Sequence, residues 1–160
     1  MQLMFGSDWE LVARLILAAV LGFLIGLERE FRGQAAGERT HALVALGAAA
    51  FALISGAAFP GGDVSRVAAG VVTGIGFLGA GMILKREGEK IEGLTTAAGI
   101  WAVGAIGLAI GAGMYLLGIV TSLLVGLILA GESVLKLDER FARLRGETGG
   151  ETPGKRIPYD

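Results

Sequence analysis

The stretch VSRVAAGVVTGIGFLGAGMIL, residues 64–84, decides the fold of this chain. At about 100° per residue, small residues fall on one broad side of a helix made from it, and large apolar residues cluster on the other. So many glycines would weaken a helix in water. In a bilayer, small residues such as the GxxxG pair Gly70 and Gly74 instead let neighbouring backbones approach closely. The pattern predicts the innermost helix of a membrane bundle.

The composition also favours a membrane protein. Of the 160 residues, 53% are apolar and 28 are glycine, and the mean hydropathy is +0.66. These values leave too little polar surface for a water-exposed domain. The chain has no cysteine, so disulfides and thiol chemistry are excluded. A formal net charge of −1 gives no sign of a nucleic-acid partner.

The hydrophobic runs predict an all-α integral membrane protein, with a transmembrane domain over 1–131 that lies in the lipid bilayer. We expect a bundle of five transmembrane helices, over about 11–27, 41–59, 64–84, 94–110 and 114–131. The last two helices come from one run that is too long for a single span and that Gly111, Ala112 and Gly113 divide. A cytoplasmic amphipathic helix over 132–145 and a disordered tail over 146–160 are predicted to follow.

The distribution of basic residues favours five spans over four. With five spans, twelve Lys and Arg residues lie on one side of the membrane, and only Arg14 and Arg66 lie on the other. A four-span arrangement would send the basic C-terminal tail to the opposite side. The positive-inside rule therefore predicts a cytoplasmic C-terminus and an N-terminus outside. Arg14 lies one turn after Glu10, so we expect an i,i+4 ion pair there.

Polar residues gather where the predicted helices end on the cytoplasmic side. They are Glu28, Glu30, Arg39, Thr40, His41, Glu92, Thr95 and Thr96. Carboxylates and hydroxyls are hard oxygen ligands that suit Mg²⁺, which needs only one or two protein carboxylates. Glu28, Glu30 and Glu92 are therefore candidate metal ligands. The alternative is structural: Glu28 pairs with Arg39, while the two threonines cap a helix.

On the outer side, Asp63 stands where the N-cap of the third helix belongs, three residues before Arg66. Asp63 is a fourth candidate metal ligand and could mark an ion entrance. The alternative is a capping ion pair between the two residues. With only hydroxyl groups within the spans, ion conduction is the less favoured function class.

Two patterns of small residues have structural interpretations. Gly74, Gly76 and Gly79 satisfy GxGxxG, but they lie inside an apolar helix without the strand and loop of a dinucleotide site. No spacing supports a catalytic group, so we predict no enzyme. Helix packing is expected at Gly22, Gly26, Gly70, Gly74, Gly76, Gly81, Gly104, Gly107 and Gly111. These are more small-residue faces than five helices need, which predicts a homo-oligomer, with a dimer favoured.

Four blocks of the sequence resemble the membrane domain of the MgtC/SapB family. They are GFLIGLERE at 22–30, AGERTHALVALGAAAF at 36–51, Asp63 with RVAAGVVTGIGFLGAGMIL at 66–84, and GLTTAAGIWAVGAIGLAIGAG at 93–113. The resemblance covers about 11–131. The family's polar motif positions fall on Glu28, Arg29, Glu30, Arg39, Thr40, His41, Asp63, Arg66, Thr95 and Thr96.

This resemblance implies a bacterial inner (plasma) membrane protein linked to survival at low Mg²⁺ and, in pathogens, to life inside macrophages. It further implies a short form without the cytoplasmic ACT-like domain of longer members. The best-known member is associated with restraint of the proton-translocating ATP synthase and is not an established Mg²⁺ transporter. We therefore expect a non-enzymatic regulator of a membrane complex such as the ATP synthase, with Mg²⁺ as the one candidate ligand. The alternative is a transporter or channel for Mg²⁺ or another cation.

Overall fold

The computed structural model describes residues 7–59, 62–83 and 91–135. Five helices account for most of them: α1 (Asp8–Phe31), α2 (Glu38–Ala58), α3 (Val64–Met82), α4 (Leu94–Gly111) and α5 (Tyr115–Leu135). Helices α1 to α4 are long and apolar enough to cross a membrane, and the apolar part of α5 spans Tyr115–Gly131. The prediction of an all-α bundle of membrane helices is confirmed.

Local sequence signals set the helix ends. Asp63 caps α3, because its side chain accepts a hydrogen bond from the backbone N–H of Ser65 at 2.9 Å. Helix α4 ends at Gly111, and the chain turns through Gly113, whose φ of 80° is accessible to glycine at little cost. The N–H of Met114 closes this turn on the carbonyl of Ala109 at 2.8 Å. The long apolar run is therefore divided where the sequence predicts.

The innermost helix is α4, so the prediction that α3 lies innermost is wrong. Half of the α4 span is buried within the described structure, against 11% of the α3 span. Ile100, Val103, Ile106 and Ile110 of α4 have no solvent exposure. Helix α4 takes this position because large apolar side chains alternate around it with glycines, so that both bulky contacts and close backbone approach are available.

Glycine pairs four residues apart join α1 and α4 to α2. A methyl group on Gly22 would lie 2.6 Å from the carbonyl oxygen of His41, and one on Gly26 would lie 2.5 Å from the Cα of Glu38. On α4, Gly107 and Gly111 are equally close to the α2 backbone, at Ala45 and Ala49. Gly104 faces the side chain of Ile75 on α3. Helix α2 thus lies between two glycine faces.

The glycines of α3 are placed differently. Gly70, Gly74, Gly76 and Gly81 have no atom within 4 Å of an added methyl group. Helix α3 contacts α4 through its other side, where Ile75 and Gly79 are buried. In this single chain the predicted packing faces of α3 are therefore open.

The compact unit that holds these contacts extends to Leu129, and a second unit starts at Ala130. Of the second unit, the structure describes only the helical backbone that ends α5. The remainder of the predicted amphipathic helix and the whole predicted tail lie outside the described residues. So does most of the loop between α3 and α4.

Candidate functional site

One polar cluster, the Arg14 cluster, consists of Glu10, Arg14, Gly111 and Tyr115. The Nη2 of Arg14 lies 2.6 Å from Glu10 Oε1, which confirms the predicted i,i+4 pair. Its Nε donates to the hydroxyl of Tyr115 at 2.9 Å, and its Nη1 donates to the carbonyl of Gly111 at 3.2 Å. The hydroxyl of Tyr115 in turn donates to Glu10 Oε1 at 3.0 Å. The cluster therefore ties the start of α1 to the turn between α4 and α5.

A cavity of about 490 Å³ lies beside this cluster. Its walls come from α2, α3, α4 and α5, for example Ala52, Ala68, Leu108 and Leu117, and Arg14 is its one charged lining residue. Because Glu10 already neutralises Arg14, the cavity offers no net charge to an ion. The arrangement supports a structural role for Arg14 better than an anion site.

The second polar cluster, the Glu28 cluster, consists of Glu28, Arg29, Arg32, Glu38 and His41. Arg29 and His41 are each 1% exposed. Glu28 forms an ion pair with Arg32, and its Oε2 lies 3.8 Å from Nη1 of Arg29. His41 Nδ1 lies 2.9 Å from the carbonyl of Gly37, the geometry for donation from that nitrogen. The end of α1 and the start of α2 thus share a set of charged and polar side chains in which Arg29 and His41 are buried and the others are partly exposed.

Several buried polar atoms of the Glu28 cluster lack a hydrogen-bond partner among the described protein atoms. They are both carboxylate oxygens of Glu28, Nε and Nη1 of Arg29, Oε2 of Glu38, and Nε2 of His41. The two Glu28 oxygens and Nη1 of Arg29 nonetheless take part in the ion pairs described above. Burying the other atoms without a partner costs free energy. Donors and acceptors occur together, and the Glu28 carboxylate is paired with both Arg29 and Arg32. A metal ion at Glu28 would therefore compete with Arg29 and Arg32 for the same oxygens.

The structural alternatives foreseen for this end are wrong in detail. Glu28 pairs with Arg32 and not with Arg39, whose 93% exposed side chain lies 3.6 Å from Glu38. Residues four apart on one helix are neighbours on its surface, so Arg32 is nearer to Glu28 than a residue of the next helix is.

The threonines do not cap α4. The N-cap of that helix is Gly93, with a φ of 84° and no side-chain bond. Thr96 is buried and donates to Gln34 Oε1 at 3.3 Å, which joins α4 to the loop after α1. Thr95 is exposed.

Of the other predicted site residues, Glu30 lies beside the Glu28 cluster, because its carboxylate packs against Gly37, whose carbonyl faces His41. Glu30 and Glu92 are exposed, and Thr40 is half-buried. Within 7–59, 62–83 and 91–135, no group of three or more Asp, Glu or His side chains is arranged to hold a metal ion. Since Mg²⁺ requires only one or two protein carboxylates, metal binding at Glu28, Glu30, Asp63 or Glu92 stays a prediction.

Asp63 and Arg66 lie at the start of α3, and both are exposed. Asp63 Oδ1 accepts hydrogen bonds from the hydroxyl of Ser65 at 2.5 Å and from its N–H at 2.9 Å. These bonds hold the pKa of Asp63 below its usual value. Among the described contacts, no ion pair joins Asp63 to Arg66, so the expected capping ion pair is a capping hydrogen bond instead.

Sequence reasoning missed Tyr115, Gln34 and Glu38 as members of these polar contacts. Tyr115 and Gln34 reach partners about 100 and 62 positions away along the chain. Only their position next to a predicted turn or loop hinted at a role. Glu38 follows Gly37 directly and stands at the start of α2, where a carboxylate stabilises the helix dipole.

The two clusters are separated along α1 by 14 residues, which is about 21 Å of helix. The core between them is apolar and closely packed, with Ala18, Val103 and Ile106 wholly buried. In the described part of this region, the buried polar side chains are the serines Ser55 and Ser122. The clusters therefore do not connect through a polar path in the described structure.

The profile of the MgtC family matches residues 15–137 of this chain. YhiD of Escherichia coli K12, whose name gives magnesium transport as a candidate activity, is 51% identical over 128 residues, covering 75% of this chain and 59% of YhiD. Protein MgtC of Brucella abortus is 52% identical over 97 residues, covering 61% of this chain and 40% of that protein. Protein SrpB of Synechococcus elongatus is 42% identical over 155 residues, covering 87% of this chain and 82% of SrpB.

The chain thus spans 59% of the length of YhiD and 40% of the Brucella protein. None of these relatives is named for an enzymatic activity. No solved structure matches the chain.

Proposed function

Because this chain belongs to the MgtC family, we propose that it is a protein of magnesium homeostasis that regulates another membrane complex and does not itself conduct ions. The observation that carries the proposal is the apolar, closely packed core between the two polar clusters. A transporter requires polar groups or broken helices near the middle of the bilayer. Here the described helices α1 to α4 are unbroken, and their bulky core residues leave no polar route.

The same core supports a regulator because it makes the helices a rigid scaffold. Two glycine pairs bring the backbones of α1 and α4 into close contact with the backbone of α2, which leaves these helices little freedom to move against one another. A regulatory signal would therefore have to act on the ends of the bundle. The Glu28 cluster is the better of the two ends for such input, since it combines ion pairs with buried polar atoms, such as Nε2 of His41, that have no hydrogen-bond partner among the described atoms. We place the cluster on the cytoplasmic side of the inner membrane, as the positive-inside rule predicts.

Ion flux is the direct test. We would reconstitute the protein into sealed vesicles with an entrapped Mg²⁺ dye and compare it with protein-free vesicles and with Glu28→Gln. The regulatory proposal predicts no protein-dependent Mg²⁺ entry. Entry that depends on the protein and is lost in Glu28→Gln would refute it.

The proton-translocating ATP synthase is the partner that we propose to test first. Inverted membrane vesicles with and without the protein should differ in ATP-driven proton pumping, while pumping by the respiratory chain should stay equal. Equal ATP-driven pumping in both preparations would remove this partner.

Cation transport is the second candidate function, and the name of YhiD favours it. A specific feature of the chain also bears on it: the carboxylates Asp63 and Glu28 stand at the two ends of the bundle. In this case Asp63→Asn and Glu28→Gln should both reduce flux in the same vesicle assay. Asp63→Asn serves well because asparagine keeps the helix cap.

A further inference from the structure

The five described helices carry three glycine pairs spaced four residues apart, and two of these pairs mark a helix contact. Gly22 and Gly26 of α1, like Gly107 and Gly111 of α4, approach the backbone of α2 so closely that a methyl group would collide with it. The third pair is on α3 and has no such partner. A methyl group on Gly70 or on Gly74 would meet no atom within 4 Å.

The open face of α3 also carries charge. Arg66 lies one turn before Gly70 and shares its side of the helix, and Asp63 lies at the helix start. Both side chains are exposed, and no described ion pair involves Arg66. Consider a line along the surface of α3, parallel to the helix axis, that passes through Gly70. At about 100° per residue, Asp63 lies on one side of this line and Arg66 on the other. The face therefore presents one negative and one positive group beside a strip of glycine.

We propose that α3 packs against α3 of a second copy of this chain, in a parallel two-fold dimer that crosses at Gly70 and Gly74. Two copies inserted in the same direction bring equivalent helices together in parallel. A two-fold axis then places the Asp63 side of each helix beside the Arg66 side of the other. Each carboxylate meets the guanidinium of its neighbour. The dimer is independent of the function proposed above.

A second copy fits this face better than lipid does. Glycines leave shallow surfaces that acyl chains fill poorly, whereas a helix backbone can approach them closely. Gly70 and Gly74 themselves line a groove of about 610 Å³ between α3 and α2, with Leu43, Gly47 and Phe51 on the α2 side. The self-complementary charges distinguish a second copy from an unrelated apolar helix, which would offer neither Asp63 nor Arg66 a group of opposite charge.

Cysteine cross-linking in native membranes tests this contact, because the chain has no cysteine of its own. We would make Gly70→Cys, Gly74→Cys and, as the control, Val72→Cys. Val72 lies at the same depth but about 160° around the helix from Gly70, and it is 41% exposed. We expect disulfide-linked dimers at one or both glycine positions in at least fivefold excess over the control. Equal yields at all three positions, or none at either glycine, would overturn the proposal.

A steric test separates dimerisation from folding. A methyl group at Gly70 or Gly74 meets no atom within 4 Å, and both glycines line an open groove. We therefore expect leucine there to leave the helices formed while it excludes the partner. Gly76→Leu is the matched control, since Gly76 is equally open but lies about 120° away from Gly70. We expect monomers for Gly70→Leu and Gly74→Leu in nanodiscs and dimers for Gly76→Leu, at equal helix content. Dimers in all three variants would exclude the α3 face.

A charge test addresses the ion pairs. Asp63→Asn and Arg66→Gln should each weaken dimerisation, roughly two- to thirtyfold for the two symmetric pairs together. The double variant should lose no more dimer affinity than the single variant with the larger loss, because either single substitution already breaks the pair. Fully additive losses, or no loss in either single variant, would show that the two groups do not pair across the dimer.

Discussion

Alanine at Gly22 would push α1 away from α2. The added methyl carbon would lie 2.6 Å from the carbonyl oxygen of His41, 2.8 Å from Cβ of Ala45 and 3.0 Å from the carbonyl carbon of His41. These separations are about 0.5 to 1.4 Å shorter than favourable contacts between heavy atoms. Because two of the three atoms belong to the backbone of α2, no rotamer change relieves the clash, and the helices have to separate.

The magnitude follows from the cost of overpacking a close-packed interface, which is about 1 to 3 kcal/mol. Gly76→Ala is the control, because it makes the same chemical change within a helix but meets no atom within 4 Å. Any gain in helix propensity, about 1 kcal/mol in water, is common to both variants and cancels in the comparison. We therefore expect Gly22→Ala to be less stable than Gly76→Ala by about 1 to 3 kcal/mol.

Reversible unfolding in mixed micelles, followed by circular dichroism as the denaturing detergent fraction rises, measures this difference. Adding Ala45→Gly to Gly22→Ala should restore only part of the loss, since it removes the Cβ contact and leaves both backbone contacts. Equal stability of Gly22→Ala and Gly76→Ala would refute the backbone contact between α1 and α2.

Three further predictions use the same unfolding assay. Tyr115→Phe removes the hydroxyl that accepts from Arg14 and should lower the free energy of unfolding by about 1 kcal/mol; an unchanged midpoint would mean that the Arg14 cluster does not hold the turn. Arg29→Met removes a buried cation whose pair with Glu28 is long, at 3.8 Å, while Glu28 keeps its pair with Arg32; stability should therefore change by less than about 1 kcal/mol or rise, whereas a loss of about 3 kcal/mol or more would show a stabilising ion pair. The pKa of Asp63 is lowered from 3.8 by its bonds to Ser65, so its capping contribution is complete above that value and is lost as the pH falls through the folded-state pKa. The wild type should therefore lose stability below about pH 4 by more than Asp63→Asn does, and parallel pH profiles would contradict this.

Local features of the sequence were sufficient to predict the all-α class and the five helices of the described residues. Apolar runs of about 20 residues, the division at Gly111 to Gly113 and the cap at Asp63 depend on neighbours in the chain, and the structure confirms them. The i,i+4 pair of Glu10 and Arg14 belongs to the same kind of prediction. Contacts of this range require no knowledge of the tertiary arrangement.

The polar clusters were predictable only in outline. The predicted helix boundaries indicated which polar residues share one end of the bundle. His41, Glu28 and Arg29 do lie together there. The pairing within the cluster was not predictable, since Glu28 had several basic residues within reach. Tyr115 and Gln34 escaped notice because their partners are far away in sequence.

The sequence by itself determined that this chain forms membrane helices and that several of them carry glycine faces. The tertiary structure alone decided which faces are used. A pair of glycines shows that another backbone can approach closely, but it does not identify the helix that packs there. That choice depends on how the bulky residues of all the helices pack together. The isoleucines and glycines of α4 place it at the centre, between α1, α2 and α3. Helix α3, with the most conspicuous glycine pattern, is left with its glycine face open.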